Sequence, residues 1–145
     1  MFGRKMPAKN TSEFPMPEYA HEGDAGFDLR ITETVTLQPF ERVIVGCGLA
    51  VAIPSGCVGL LFMRSGISAK HGVTLCNSVV VIDSSYRGEI GAALVNNSHE
   101  AVTLEAGERI CQLVVMPYVP CELVPVDALN ETERGAGGFG STGTE

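Results

Sequence analysis

The sequence predicts an all-β domain, a jelly roll or β-sandwich-like barrel with one short helix and a flexible glycine-rich C-terminal arm. Three observations carry that prediction. Between Gly26 and Val126 short apolar or period-2 runs alternate with turn residues, the pattern of sandwiches and barrels rather than of strand–helix–strand units. The 17 glycines and 8 prolines are spread between those runs instead of being massed in one block, so they punctuate the chain. Only one segment reads as helix.

Taken in order, strands are expected at Phe27 to Ile31 and at Thr34 to Leu37, the second closed by Pro39. Arg42 to Val45 and Leu49 to Ile53 follow, the latter ended by Pro54-Ser55-Gly56. Further strands are expected at Val58 to Phe62, Val73 to Leu75, Val79 to Ile82, Ile90 to Val95, Val102 to Leu104, Ile110 to Met116 and Glu122 to Val126. Eleven short strands with no repeat period suit a jelly roll or a barrel. The helix is expected over Ser65 to His71, with Ser65 as its cap and Gly72 as a left-handed exit. Its plain reading is a connecting turn; the sharper one is an anion site, because a helix start presents unpaired N–H groups and Arg64 stands just before it.

Residues 1–126 form the expected domain and 127–145 the arm. The stretch from Arg134 to Gly143 is too rich in glycine to fold alone. One arginine and one aromatic, Phe139, set among those glycines suit a tail that orders over a ligand, with charge and ring as anchors.

At 145 residues and 15.3 kDa the chain has room for one modest core and no second catalytic domain. A net charge of −7, with only seven arginines and three lysines, argues against a protein that binds nucleic acid. A polyphosphate ligand would then have to be met locally, by a few placed arginines, backbone N–H groups and a divalent cation. The five cysteines are an odd set without a CxxC pair, which supports neither a disulfide framework nor a zinc knuckle and points to reduced core thiols. No apolar run approaches the roughly 20 residues that span a bilayer, and no apolar stretch follows the basic residues near Met1. A soluble cytoplasmic protein without membrane partners is expected.

Five segments together carry a resemblance. They are Ala25-Gly26-Phe27-Asp28-Leu29; Arg64-Ser65-Gly66; Asn77 through Val81-Ile82-Asp83 to Tyr86-Arg87-Gly88; Gly107-Glu108-Arg109-Ile110-Cys111-Gln112-Leu113; and the tail from Arg134 to Gly143. Each is weak alone. In this order they resemble the five motifs of the trimeric dUTP diphosphatase family, over nearly the whole chain.

The resemblance implies a homotrimeric jelly roll that hydrolyses dUTP to dUMP and pyrophosphate with Mg2+, limiting uracil in DNA and supplying dUMP for thymidylate synthesis. It further implies active sites built from different subunits, with the arm closing over a neighbour's site. By the same resemblance Asp83 accepts the proton of the attacking water, and Tyr86 lies against the deoxyribose and excludes a 2′-hydroxyl. Asn77 and the backbone of Val81, Ile82 and Asp83 read the uracil. Arg64, the N–H groups of Ser65 and Gly66, Gln112 and Arg134 hold the triphosphate, Phe139 stacks on the base with Gly140 and Ser141 beside it, and Asp28 reaches the metal through water.

Each residue also has a plainer reading. Asp83 before Ser84-Ser85 fits simple turn chemistry, a tyrosine at a strand start is usually packing, Gln112 fits an edge or interface strand, and Asp28 fits a solvated face. Arg109 reads as a structural ion pair with Glu108 or a neighbouring chain. Two departures from the family pattern stand out: Val80 replaces a frequent glycine in the uracil hairpin, where a β-branched side chain resists positive φ, and Gly91 replaces a longer side chain. A dCTP deaminase of the same fold and a nucleotide-responsive binding protein are the competing readings. Tyr86 and the complete tail speak against the first, and Asp83 against the second.

Overall fold

The computed structural model describes residues 5–138. Within them lie ten strands and one helix: β1 (Ala8–Asn10), β2 (Gly26–Arg30), β3 (Val35–Leu37), β4 (Arg42–Val51), β5 (Cys57–Met63), α1 (Ser65–His71), β6 (Val73–Leu75), β7 (Val80–Ile82), β8 (Glu89–Asn96), β9 (Val102–Leu104) and β10 (Arg109–Pro117). Two antiparallel four-stranded sheets, ordered β1-β4-β8-β6 and β2-β10-β5-β7, enclose the core, and β3-β9 forms a separate ribbon. From β4 to β8 the chain changes sheet at every step, giving a jelly-roll-like sandwich.

Period-2 patterning explains the packing. On β8, Ile90, Ala92, Leu94 and Asn96 are buried and the residues between them are not. Leu29, Leu61 and Leu113 of one sheet join Val45, Ala92 and Leu94 of the other in one apolar cluster. Burying each such leucine stabilises the fold by about 1.5–3 kcal/mol.

Among the described residues Asn96 is the one polar residue buried with this cluster. Its Nδ2 reaches the carbonyls of Leu37 (3.1 Å), Gln38 (3.2 Å) and Glu100 (2.8 Å), and its Oδ1 accepts from the N–H (2.9 Å) and hydroxyl (2.8 Å) of Ser98. One side chain thus knits β8 to the turns after β3 and before β9. Asn96→Leu keeps the volume but strands those groups, and it is expected to cost on the order of 3 kcal/mol in a denaturant titration. A cost under about 1 kcal/mol would show the network to be dispensable.

Several expectations are corrected. β1 was not anticipated: its Ala-Lys-Asn sequence has no apolar period, and it is a strand because it pairs with the β4 edge, Ala8 opposite Val51. The two strands expected at 42–45 and 49–53 are one, β4, whose register slips between Gly46 and Ala50 where Gly48 takes φ +64°. Glycines there make a bulge, not a turn. The expected strand at Glu122 to Val126 is absent; Leu123 is 95% exposed, and no edge of the same chain receives it.

The helix occupies the expected residues and ends on Gly72 at φ +68°, whose N–H bonds the Ser68 carbonyl. Its cap position, however, is Arg64 without a side-chain bond, so Ser65 is the first helical residue. Cys47, Cys57 and Cys111 are buried thiols as expected, whereas Cys76 and Cys121 are exposed, and none of the five is in a disulfide. Burial, with the Glu89 charge adding to it, pushes the Cys47 thiol up to about 12; burial likewise raises Cys111. Both are therefore protonated and inert near neutral pH. Among the described residues no helix is long and apolar enough to cross a membrane.

Candidate functional site

The phosphate-binding candidates meet where three elements end side by side. β10 lies between β2 and β5, so Gln112 faces Asp28 across one ladder and Phe62 across the other. Arg64 follows β5 directly and caps α1. The resulting cleft, about 240 Å³, is lined by Gly26, Asp28, Arg64, Ser65 and Gln112 among others. A Cβ on Gly26 would stand 3.1 Å from Val114 Cγ2 and 3.3 Å from Gln112 Oε1, so glycine there keeps the Gln112 amide clear.

Asp28 organises the charge in this cleft. Its Oδ2 lies 3.3 Å from Arg64 Nε and 3.3 Å from Arg109 Nη1, and Arg64 Nη1 donates to the Arg109 carbonyl at 2.9 Å. Arg109 is therefore paired with Asp28 rather than with Glu108, whose carboxylate accepts from the Glu105 N–H. The arginines are about two-fifths exposed, so these pairs add little stability and chiefly fix direction. Ser65 and Gly66 open α1, where the N–H groups have no intrahelical acceptor, and nothing lies within 4 Å of where a Gly66 Cβ would be. One guanidinium, two helix-start amides and a carboxamide form a donor set suited to phosphate oxygens. Among the described residues there is no group of three or more His, Cys, Asp or Glu able to hold a metal. A Mg2+ ion at this cleft would draw most of its oxygens from a phosphate ligand and water, as that ion commonly does.

The hairpin candidates sit elsewhere. Asn77 is exposed after β6, and Ser78 takes φ +61° to make the turn into β7. β7 pairs only with β5, leaving its other edge open. Val81 points outward at 62% exposure, Ile82 is buried, and Asp83 is exposed at the end of the strand. The positive φ of this hairpin falls on Ser78, while Val80 is a strand residue packed against the core. The strain feared at Val80 does not arise. Gly91 pairs with Gly46 in mid-strand, with ordinary room for a side chain.

Distance separates the two groups. Ile82 is opposite Gly59 near the start of β5, whereas Arg64 follows its end. Five residues of strand at about 3.3 Å each put roughly 16 Å between those ends. Neither Asp83 nor Tyr86 is among the residues that line the cleft.

Comparison with known proteins identifies the arrangement: the dUTPase family model matches residues 12–143. The chain belongs to the dUTPase family. The deoxyuridine 5'-triphosphate nucleotidohydrolase of Cutibacterium acnes is 51% identical over 129 residues, covering 88% of this chain and 85% of that protein. That of Finegoldia magna is 45% identical over 141 residues, covering 96% and 99%. Among solved structures, the Staphylococcus bacteriophage 80alpha dUTPase with dUPNHPP superposes with a TM-score of 0.90 at 33% identity, covering 98% of this chain and 100% of that one. A mutant dUTPase from phage phi11 of S. aureus, described with a structural Mg(II) ion, has a TM-score of 0.81 at 29% identity, covering 88% and 100%.

In this dUTPase chain the fifth segment is only partly described. Arg134 is exposed, its Nε bonded to the Gly137 carbonyl at 3.0 Å. Phe139, Gly140 and Ser141 lie outside the described residues. Arg109 makes a structural ion pair, as the sequence suggested, but with Asp28 rather than with Glu108. The bulge between Arg109 and Cys111, which no period-2 pattern announces, sets its register against β2.

Proposed function

We propose that this dUTP diphosphatase cleaves dUTP to dUMP and pyrophosphate by in-line attack of a water on the α-phosphorus, at active sites shared between the subunits of a homotrimer. The observation that carries the reading is the phosphate cradle of Arg64, Ser65, Gly66 and Gln112, set at the opposite end of β5 from Asp83. A second chain has to bring the carboxylate to the phosphates. Exposed apolar side chains at Met116, Tyr118, Val119, Leu123, Val124 and Val126 support such an assembly, since a lone subunit leaves them in water.

Within the site, Asp83 takes a proton from the attacking water as its oxygen bonds to phosphorus. Arg64, the two helix-start amides and Gln112 stabilise negative charge as it passes to the departing pyrophosphate. Asp28, through Oδ2, holds Arg64 in line, and its carboxylate would help hold Mg2+ through water. When bound, Mg2+ would supply charge neutralisation on the phosphate oxygens. Asn77 and the open backbone edge from Val81 to Asp83 read the uracil, and the Tyr86 ring walls off the sugar's 2′ position. Residues 1–126 form the catalytic domain; the arm, 127–145, closes over a neighbouring site, with Arg134 on the phosphates and Phe139, flanked by Gly140 and Ser141, on the base. The enzyme would act in the cytoplasm, keeping uracil out of DNA and feeding thymidylate synthesis.

Mixing two inactive variants tests the shared site. Asp83→Asn and Arg64→Ala chains, each inactive alone, are co-refolded in equal amounts and assayed for pyrophosphate release from dUTP with Mg2+. Shared sites regain about a quarter of wild-type activity, because half the chains carry each intact residue. No recovery from a well-folded mixed oligomer would refute the shared site.

A further inference from the structure

Resting on the reading of Tyr86 as the wall against the sugar, we propose that Gly88 and Glu89 are positioning residues for its ring, and thereby set discrimination between deoxyribo- and ribonucleotides. The ring needs such help. At 46% exposure it lacks the packing that would fix a buried tyrosine, and a swinging ring would admit a 2′-hydroxyl. It is instead folded back over its own chain. Its hydroxyl donates to the Glu89 carbonyl at 2.9 Å, and a Cβ on Gly88 would run into that hydroxyl and stand 2.6 Å from Cζ. Any side chain at 88 evicts the ring.

The anchor at 89 is itself held by residues distant in sequence. Glu89 Oε1 accepts from the Gly48 N–H at 3.1 Å and Oε2 from the Thr11 hydroxyl at 2.9 Å. The first bond exists because of the β4 bulge. β4 uses the four steps from Gly46 to Ala50 where β8 uses two, from Gly91 to Glu89, and Gly48, at φ +64°, turns its N–H off the ladder. A carboxylate fills that vacancy with a charge-assisted bond. Gly46 clears the space, since a Cβ there would collide with Glu89 Oε1, and a Cβ on Gly48 would stand 2.6 Å from Ser12 Cβ.

The turn between is braced as well. Tyr86 N–H bonds the Asp83 carbonyl at 3.1 Å, and Arg87 Nη1 donates to the carbonyls of Ser84 and Tyr86 at 2.7 Å each. Glu89 is absent from the phosphate cleft and has no place among the proposed substrate contacts. Its influence runs through its own carbonyl to the tyrosine.

The test is the ratio of kcat/KM on dUTP to that on UTP, measured on the Mg2+-supplied full-length enzyme with unfolding midpoints recorded alongside. Gly88→Ala and Glu89→Ala are expected to lower the ratio roughly tenfold. Glu89→Gln should hold it near wild type, because its amide oxygen accepts from Gly48 and its NH2 donates to Thr11. Tyr86→Phe keeps the ring, removes only the tether and cannot plausibly unfold the chain; its ratio should fall part of the way. A wild-type ratio in Tyr86→Phe and in either folded alanine variant overturns the inference. Tyr86→Ala separates the two claims: if it collapses the ratio while the others do not, the positioning role alone fails, and if it leaves the ratio intact, the sugar-wall reading fails with it.

Discussion

Asp83→Asn is expected to lower kcat for dUTP hydrolysis by on the order of 10³-fold while leaving substrate affinity within a few-fold, the usual consequence of removing a general base without changing its shape. The amide keeps the size and the hydrogen-bonding reach of the carboxylate but cannot take a proton from water. The fold should not register the change. Among the described residues the Asp83 carboxylate makes no hydrogen bond or ion pair, and the turn after it is closed by its main-chain carbonyl, which accepts from the Tyr86 N–H. Single-turnover kinetics on dUTP, with calorimetric binding of a non-hydrolysable imido analogue, separates the two effects. A variant that retains a tenth or more of wild-type turnover would remove Asp83 from the role of base, a loss too small for such a group.

Deleting residues 134–145 is expected to reduce kcat/KM by about 10²- to 10³-fold, the scale seen when a preorganised donor to a developing anion is lost. Oligomeric state and unfolding midpoint should stay unchanged. Between residues 118 and 138 the chain holds no strand or helix, and among the described residues Arg134, which is exposed, bonds only within its own glycine-rich turn. Nothing in the described core depends on it. Analytical ultracentrifugation with steady-state assays decides the matter, and undiminished turnover in the truncated protein would end the case for a closing arm.

Both predictions rest on residues singled out by the resemblance of short motifs to the dUTPase family; taken alone, Asp83 fits a simple turn. Ser65 to His71 folds as a helix leaving through Gly72 since a glycine after a helical run favours the left-handed exit whatever surrounds it. The alternation along β8 likewise marks its inward face, since a two-residue period on a half-buried strand leaves one solution for which face is inward.

Only the tertiary structure decided what depends on distant partners. Lys9 and Asn10 are strand residues because they pair with the β4 edge, whereas Glu122 to Val126 form no strand and lie exposed. Arg109 pairs with Asp28 because β10 runs between β2 and β5, a fact no neighbour of Arg109 in sequence announces. The socket for Glu89 brings together Thr11 and Gly48 through a register slip that reads, along the chain, as an ordinary turn. Residue types and local period set which groups this protein has; strand order and register, fixed by the simultaneous burial of both sheets' inner faces, set which of those groups can touch.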